Sequence, residues 1–188
     1  MRAAVYRRTG PAEEVLTVED LPDPVPGPGE VLVRVHASGV NPADVKRRGG
    51  WLGQRMDHPL VIPHADGAGE IIATGPGVDP ARRGQRVWLW NAQGGYGGPG
   101  RAFGTAAELC ALPQSQAVPL PAALSFAQGA CLGIPAMTAH RAVFADGPVA
   151  GRTILVAGAG GAVGHFAVQF AAAAGARVIG TAGRLRAG

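Results

Sequence analysis

Cysteine is scarce in this chain, with two residues in 188. Cys110 and Cys131 make no CxxC pair, and a cytoplasmic chain keeps such thiols reduced. The start also lacks an apolar stretch of signal-peptide length: MRAAVYRRTG is charged, which points to a cytoplasmic protein. Lysine is nearly absent, Lys46 standing against sixteen arginines. That ratio reads as a codon bias rather than a binding design. The arginines are scattered, with short clusters at Arg7-Arg8, Lys46-Arg47-Arg48 and Arg82-Arg83. A nucleic-acid surface shows a patch or stripe interleaved with aromatics, so the net charge of +4 does not argue for such a partner. One stretch, Thr153 to Ala176, has no Asp, Glu, Lys or Arg and is long enough to span a bilayer. It holds five glycines, His165 and Gln169, however, and a glycine cluster divides it into a β-branched piece and a helical piece. Two buried elements explain it better than a membrane span.

What is present fits a soluble globular protein: 47% hydrophobic and 16% charged residues. The length allows one good-sized domain, or one domain plus part of a second. Residues 1–120 read as a β-rich domain. Strands are expected near Ala3–Tyr6, Val15–Val18, Val31–Val35, Gly69–Ala73, Val87–Trp90 and Ala106–Leu112. Turn strings such as LPDPVPGPGE and TGPGVDP separate them. Residues 121–188 turn helical. Ser125 suits the cap of a helix over Phe126–Leu132, and Pro135 suits the first turn of another ending near Phe144. A βαβ unit follows: a strand at Thr153–Ala157, a helix whose apolar positions run from Val163 to Ala174, and a strand at Arg177–Thr181. One such unit leaves sheet edges open, so the expectation is an incomplete α/β domain in a truncated chain. One helix covers one face, so Val156, Val178 and Ile179 are expected to be partly wet.

Gly158, Gly161 and Gly164 punctuate the string GAGGAVG in a GxxGxxG spacing, directly after a strand and opening a helix. A dinucleotide site needs small residues there, because the backbone must approach a pyrophosphate that takes hydrogen bonds from N–H groups at the helix N-terminus. Packing alone also places glycines in tight turns; the correct flanking elements favour the functional reading. The second strand ends in Thr181-Ala182-Gly183-Arg184, without the acid that usually binds an adenosine ribose. Thr181 and Arg184 suit a 2′-phosphate instead, which favours NADPH as cofactor. The alternative is that Arg184 belongs to a solvated chain end.

The string HASGVNPADVKRRGG around Asn41, with PHADGAGEI (63–71), GIPAMTAH (133–140) and the glycine motif, resembles the zinc-free, zeta-crystallin-like quinone oxidoreductase branch of the medium-chain dehydrogenase/reductase superfamily. The resemblance covers essentially the whole chain. It implies a GroES-like β-rich catalytic domain, then an incomplete Rossmann domain (a doubly wound parallel sheet), with hydride transfer in a cleft between them. It places Asn41 near the nicotinamide, Thr138 by the cofactor, and Gly158, Gly161, Ala162, Val163 and Gly164 on the pyrophosphate. No metal ligand set is expected: Asn41 stands where zinc-dependent relatives carry cysteine, and Ala65-Asp66 where they carry histidine and glutamate. His64 and Asp66 could in principle hold a metal, but the expectation is that they are loop groups with local hydrogen bonds. Lys46 departs from a tyrosine common in the family.

The reading is an NADPH-dependent oxidoreductase that passes hydride to a quinone, a small-molecule substrate, without zinc. The full-length protein is expected to be a homodimer. Asn41 is the candidate catalytic group, as a hydrogen-bond donor or cofactor-positioning side chain, with a structural role as the alternative. Two other functions stay open: reduction of α,β-unsaturated carbonyls (alkenals or enoyl thioesters), and a non-catalytic NADPH-binding or RNA-associated module.

Overall fold

The alternation around Val31–Val35 becomes a ten-residue strand, β3 (Glu30–Gly39), which buries Val31 and Val33 and turns Arg34 and His36 outward. This computed structural model describes residues 1–53, 55–95 and 100–183. The other strands of the first part are β1 (Arg2–Val5), β2 (Thr17–Asp20), β4 (Asp66–Thr74), β5 (Arg86–Leu89), β6 (Leu109–Pro113) and β7 (Ala117–Pro119). Among the described residues, β6-β3-β4-β5-β7 form an antiparallel sheet, and β1-β2 pair separately. The β3–β4 register shifts at Leu32/Val33 and at Val35/Ala37, irregularities that bend and twist the central pair. Val31, Val33, Ile71, Val87, Leu89 and Leu112 are 0% exposed and form the core of that sheet. Each such side chain contributes about 1.5–3 kcal/mol on burial.

Two short helices interrupt the β pattern. Val15 closes α1 (Ala12–Val15), so the strand expected from Val15 begins only at Thr17. The second, α2 (Pro42–Arg48), has ordinary helix signals: Asn41 at the cap, Pro42 in the first turn and Lys46, Arg47 and Arg48 in the last. Lys46 lies 4.4 Å from the centre of the Trp51 ring.

The chain divides into two compact units, Met1–Gly133 and Ile134–Gly188. Ser125 caps α3 (Phe126–Gly129), which packs on β3, β4 and β5 within the first unit. Pro135 does not open a helix. It falls inside a wide turn over Leu132–Ala136, where its missing N–H is tolerated, and α4 (Met137–Phe144) begins after it.

The second unit contains the βαβ element: β8 (Thr153–Val156), α5 (Ala162–Ala173) and β9 (Arg177–Gly180), with β8 and β9 parallel and in register from Thr153↔Arg177 to Val156↔Gly180. Gly175 reverses the chain after α5 at φ +83°, a left-handed conformation that favours glycine. The charge-free stretch is thus a strand, a turn and a helix, and no helix among the described residues is long and apolar enough to cross a membrane. Val156, expected to be partly wet, is buried against Ala139 and Ala167 because α4 packs alongside α5. Val178 is half-buried, and Ile179 is 46% exposed.

Candidate functional site

The glycine turn is built residue by residue. Gly158 sits at φ +70°, where a side chain is strained. Gly161 N–H donates to the Gly158 carbonyl at 2.9 Å and closes the turn. Gly164 is buried on the first turn of α5, and a Cβ there would lie 2.2 Å from the Gly158 oxygen. Its glycine is therefore a packing requirement. Gly161 differs: its φ of −85° and ψ of 168° suit any residue, and its added Cβ would meet the Gly158 oxygen at 3.3 Å. As N-cap, Gly161 offers no side-chain acceptor to α5. The N–H groups of Ala162, Val163 and Gly164 have no partner among the described residues, and Ala162 and Val163 are exposed. A twelve-residue helix thus directs its positive end and free donors at solvent. This cradle fits a pyrophosphate, and Cβ groups would narrow it.

Thr181 is tied to the same turn. Its hydroxyl oxygen accepts from Gly158 N–H at 3.1 Å, and its carbonyl accepts from Ala159 N–H at 2.8 Å. Its hydroxyl proton has no acceptor among the described residues. Arg184 lies outside the described residues. Thr138, on α4, is exposed beside the buried Ala139, and its hydroxyl has no hydrogen-bond partner among the described residues.

In the first unit Asn41 is 5% exposed within a buried polar cluster. Its backbone N–H donates to Asp44 Oδ2 at 2.7 Å, and its Nδ2 donates to Asp66 Oδ2 at 2.9 Å. Asp66, fully buried, opens β4 rather than lying in a loop. Gly133 is required beside it, since a Cβ there would stand 2.1 Å from Asp66 Oδ1. A second chain of bonds runs from His64 Nδ1 to Ser38 Oγ (2.8 Å), on to Thr105 Oγ1 (2.9 Å), and to the Asp66 carbonyl (2.5 Å). Thr105 gives its proton to that carbonyl, so Ser38 donates to Thr105 and His64 Nδ1–H donates to Ser38. His64 is held at φ +77°, uncommon for a residue with a Cβ.

Ser38, Asp44, Gly133 and Thr105 were not singled out by sequence. The Asn41-x-x-Asp44 spacing is a readable cap signal, whereas the Ser38–Thr105 contact spans 67 residues and has no local signature. The structure places Asn41 in the first unit, and Thr138, the glycine turn and Thr181 in the second. Among the described residues no group of three or more His, Cys, Asp or Glu is gathered in metal-binding proximity.

Burial pushes the His64 pKa below its ordinary value, opposed by the Asp44 carboxylate nearby. Burial pushes the Asp44 carboxyl up, against the Asn41 N–H, His64, Arg47 and the Ala65 N–H. A depressed histidine stabilises the fold fully above its unfolded pKa of about 6.5, and that contribution is lost as pH falls through the lower folded value. Asp44 has the opposite sign, gaining stability as pH falls through its raised folded value. Wild type is therefore expected to lose more of its thermal midpoint than His64→Gln between pH 7.5 and 5.5. Parallel curves for the two proteins would remove this assignment.

A β-rich unit of this topology, followed by a Rossmann-type βαβ unit, defines an α/β protein with a GroES-like domain. Residues 27–122 match the family described as the alcohol dehydrogenase GroES-like domain. The chain belongs to that family, within the medium-chain dehydrogenase/reductase superfamily. Among curated proteins it is 40% identical over 187 residues to quinone oxidoreductase of Rattus norvegicus, covering 97% of this chain and 53% of that protein. Among solved structures, an NAD-dependent alcohol dehydrogenase is 37% identical with a TM-score of 0.86, covering 98% of this chain and 59% of its own. A mycobacterial protein complexed with NADPH is 30% identical with a TM-score of 0.81, covering all of this chain and 55% of its own. The chain spans about half the length of the curated relatives it matches.

Proposed function

We propose that this chain belongs to an oxidoreductase that uses NADPH to reduce a quinone or a similarly activated acceptor, without zinc. The observation that carries the reading is the row of free N–H groups at α5, framed by Gly158 and Gly161 and followed at the end of β9 by threonine instead of an acid. Ala162, Val163 and Gly164 would bind the pyrophosphate, and the Thr181 hydroxyl and Arg184 the 2′-phosphate. A carboxylate at the end of β9 would repel that group. Thr138, with its free hydroxyl, and Asn41 would position the nicotinamide end. NADPH, when bound, supplies a hydride. The chain's own part is then alignment and electrostatic support of the acceptor oxygen, with little acid–base chemistry to perform. Zinc independence is supported by the Asn41 amide, a poor zinc ligand whose nitrogen is already committed to Asp66.

The relative named as quinone oxidoreductase and the NADPH-bound mycobacterial structure agree with this reading. The NAD-dependent neighbour makes cofactor choice the point to test. NADPH is expected to support quinone reduction better than NADH by at least about tenfold in kcat/KM, a difference of about 1.4 kcal/mol. A chelator is expected to leave the rate unchanged. Thr181→Asp should move preference towards NADH. Equal use of both cofactors, or turnover of alkenals in preference to quinones, would overturn the respective part.

A further inference from the structure

Gly180 closes β9 opposite Val156 of β8, yet its backbone does not call for glycine: its φ lies outside the left-handed region that favours the residue. Glycine in a strand weakens it and marks a place where another group comes close. Here that group is the Ala159 methyl. A Cβ built on Gly180 would stand 2.7 Å from Ala159 Cβ, and among the described residues no other atom beyond its chain neighbours lies within 4 Å of it. Gly180 is otherwise exposed, so this one contact accounts for the missing side chain.

Ala159 belongs to the glycine turn and cannot swing aside. Its only side-chain atom is fixed to the backbone, and the residue packs against the buried cluster of Ala139, Val156 and Ala167. Its N–H donates to the Thr181 carbonyl at 2.8 Å, and the Gly158 N–H before it donates to Thr181 Oγ1 at 3.1 Å. The Gly158 carbonyl in turn accepts from Gly161 N–H at 2.9 Å and lies against Gly164. A methyl at position 180 would push Ala159 off the end of β9 and stretch both bonds to Thr181. Through the Gly158 carbonyl the displacement would reach the first turn of α5.

We propose that Ala159 and Gly180 are a positioning pair: the bare Gly180 lets Ala159 seat on the end of β9, and that seat sets where the N–H groups of Ala162, Val163 and Gly164 meet a cofactor pyrophosphate. The inference rests on the NADPH reading above and adds two residues to it. Because the pyrophosphate is common to NADPH and NADH, the pair governs affinity for both and leaves the choice between them to Thr181.

The test compares the unaltered protein with Gly180→Ala, Ala159→Gly and the double variant. NADPH and NADH are titrated by fluorescence, the backbone amide resonances of Ala162, Val163 and Gly164 are followed by NMR without cofactor, and thermal midpoints are taken by circular dichroism. Gly180→Ala is expected to weaken both cofactors by about tenfold, the scale of one weakened hydrogen bond to a charged partner, and to displace the three amide resonances. Ala159→Gly in the Gly180→Ala background removes the opposing methyl and should restore the resonances and most of the affinity. A merely structural contact would lower the midpoint and leave amides and affinity in place. If Gly180→Ala alone does not fold, the double variant decides: restored folding and binding support the pair, and a double variant that stays unfolded overturns it. Unmoved amides, a loss confined to NADPH, or no rescue by Ala159→Gly would also overturn it. Failure of the unaltered protein to bind either cofactor would sink the NADPH reading instead, and the amide resonances would still decide whether the pair sets the turn.

Discussion

Gly161→Val is expected to lower NADPH affinity by more than about a hundredfold while leaving the βαβ unit folded. Backbone at φ −85° and ψ 168° accepts a branched residue, and the nearest atom to the new Cβ, the Gly158 oxygen at 3.3 Å, needs to yield only a few tenths of an ångström. The valine methyls would stand over the N–H groups of Ala162 and Val163. Loss of one or two hydrogen bonds to a charged phosphate, at about 1.5–3 kcal/mol each, gives the stated factor. The companion variant Gly164→Val should behave differently, because its Cβ runs into the Gly158 oxygen at 2.2 Å and must open the turn itself. NADPH titration by fluorescence, with circular dichroism on both variants, separates the two cases. Undiminished affinity in Gly161→Val would leave the motif as a packing turn.

The second large effect concerns the first unit. Gly133→Ala is expected to destabilise it by about 2–4 kcal/mol, the sum of an overpacked contact and a disturbed buried hydrogen bond. The new methyl would overlap Asp66 Oδ1 at 2.1 Å, and the carboxylate cannot retreat without giving up its bond from Asn41 Nδ2. Trp51, Trp88 and Trp90 are the protein's three tryptophans and all lie in this unit, so their fluorescence during urea unfolding reports the loss directly. A midpoint within error of wild type would mean that the Asp66 region rearranges freely.

Gly133 also shows where sequence reading stops. The string GIPAMTAH marked the segment, yet nothing in it says that its glycine faces a carboxylate 67 positions earlier. The same holds for Ser38, His64 and Thr105, which meet only because β3, the turn before β4 and the segment before β6 converge. The βαβ unit was legible because its signals are local: a β-branched run, glycines at the turn, a 3.6-residue periodicity and a closing Gly175. The α2 helix was legible in principle. Its Asn41-Pro42 start was read for chemistry, and the cap went unnoticed beside a strong strand pattern. Pro135 misled because a helix-opening proline and a proline in a wide turn look alike in sequence. Asn41 stands closest to the expectation's two alternatives at once, since the bond to Asp66 gives it a structural task whatever it does for a cofactor.

The tie between Thr181 and Gly158 has a bearing on how such a protein changes its cofactor preference over evolutionary time. On the proposed reading, the side chain that would face the adenosine ribose is the same one that anchors the first glycine of the turn. Substitutions that keep an acceptor oxygen there, serine or aspartate, preserve the anchor and leave selectivity free to drift. Substitutions that remove it, alanine or valine, loosen the turn for either cofactor before any preference is altered. If the proposed cofactor site holds, the accessible paths between NADPH and NADH would run through a narrow set of residues at position 181, and lineages crossing it by other routes would need a second change in the glycine turn to recover binding.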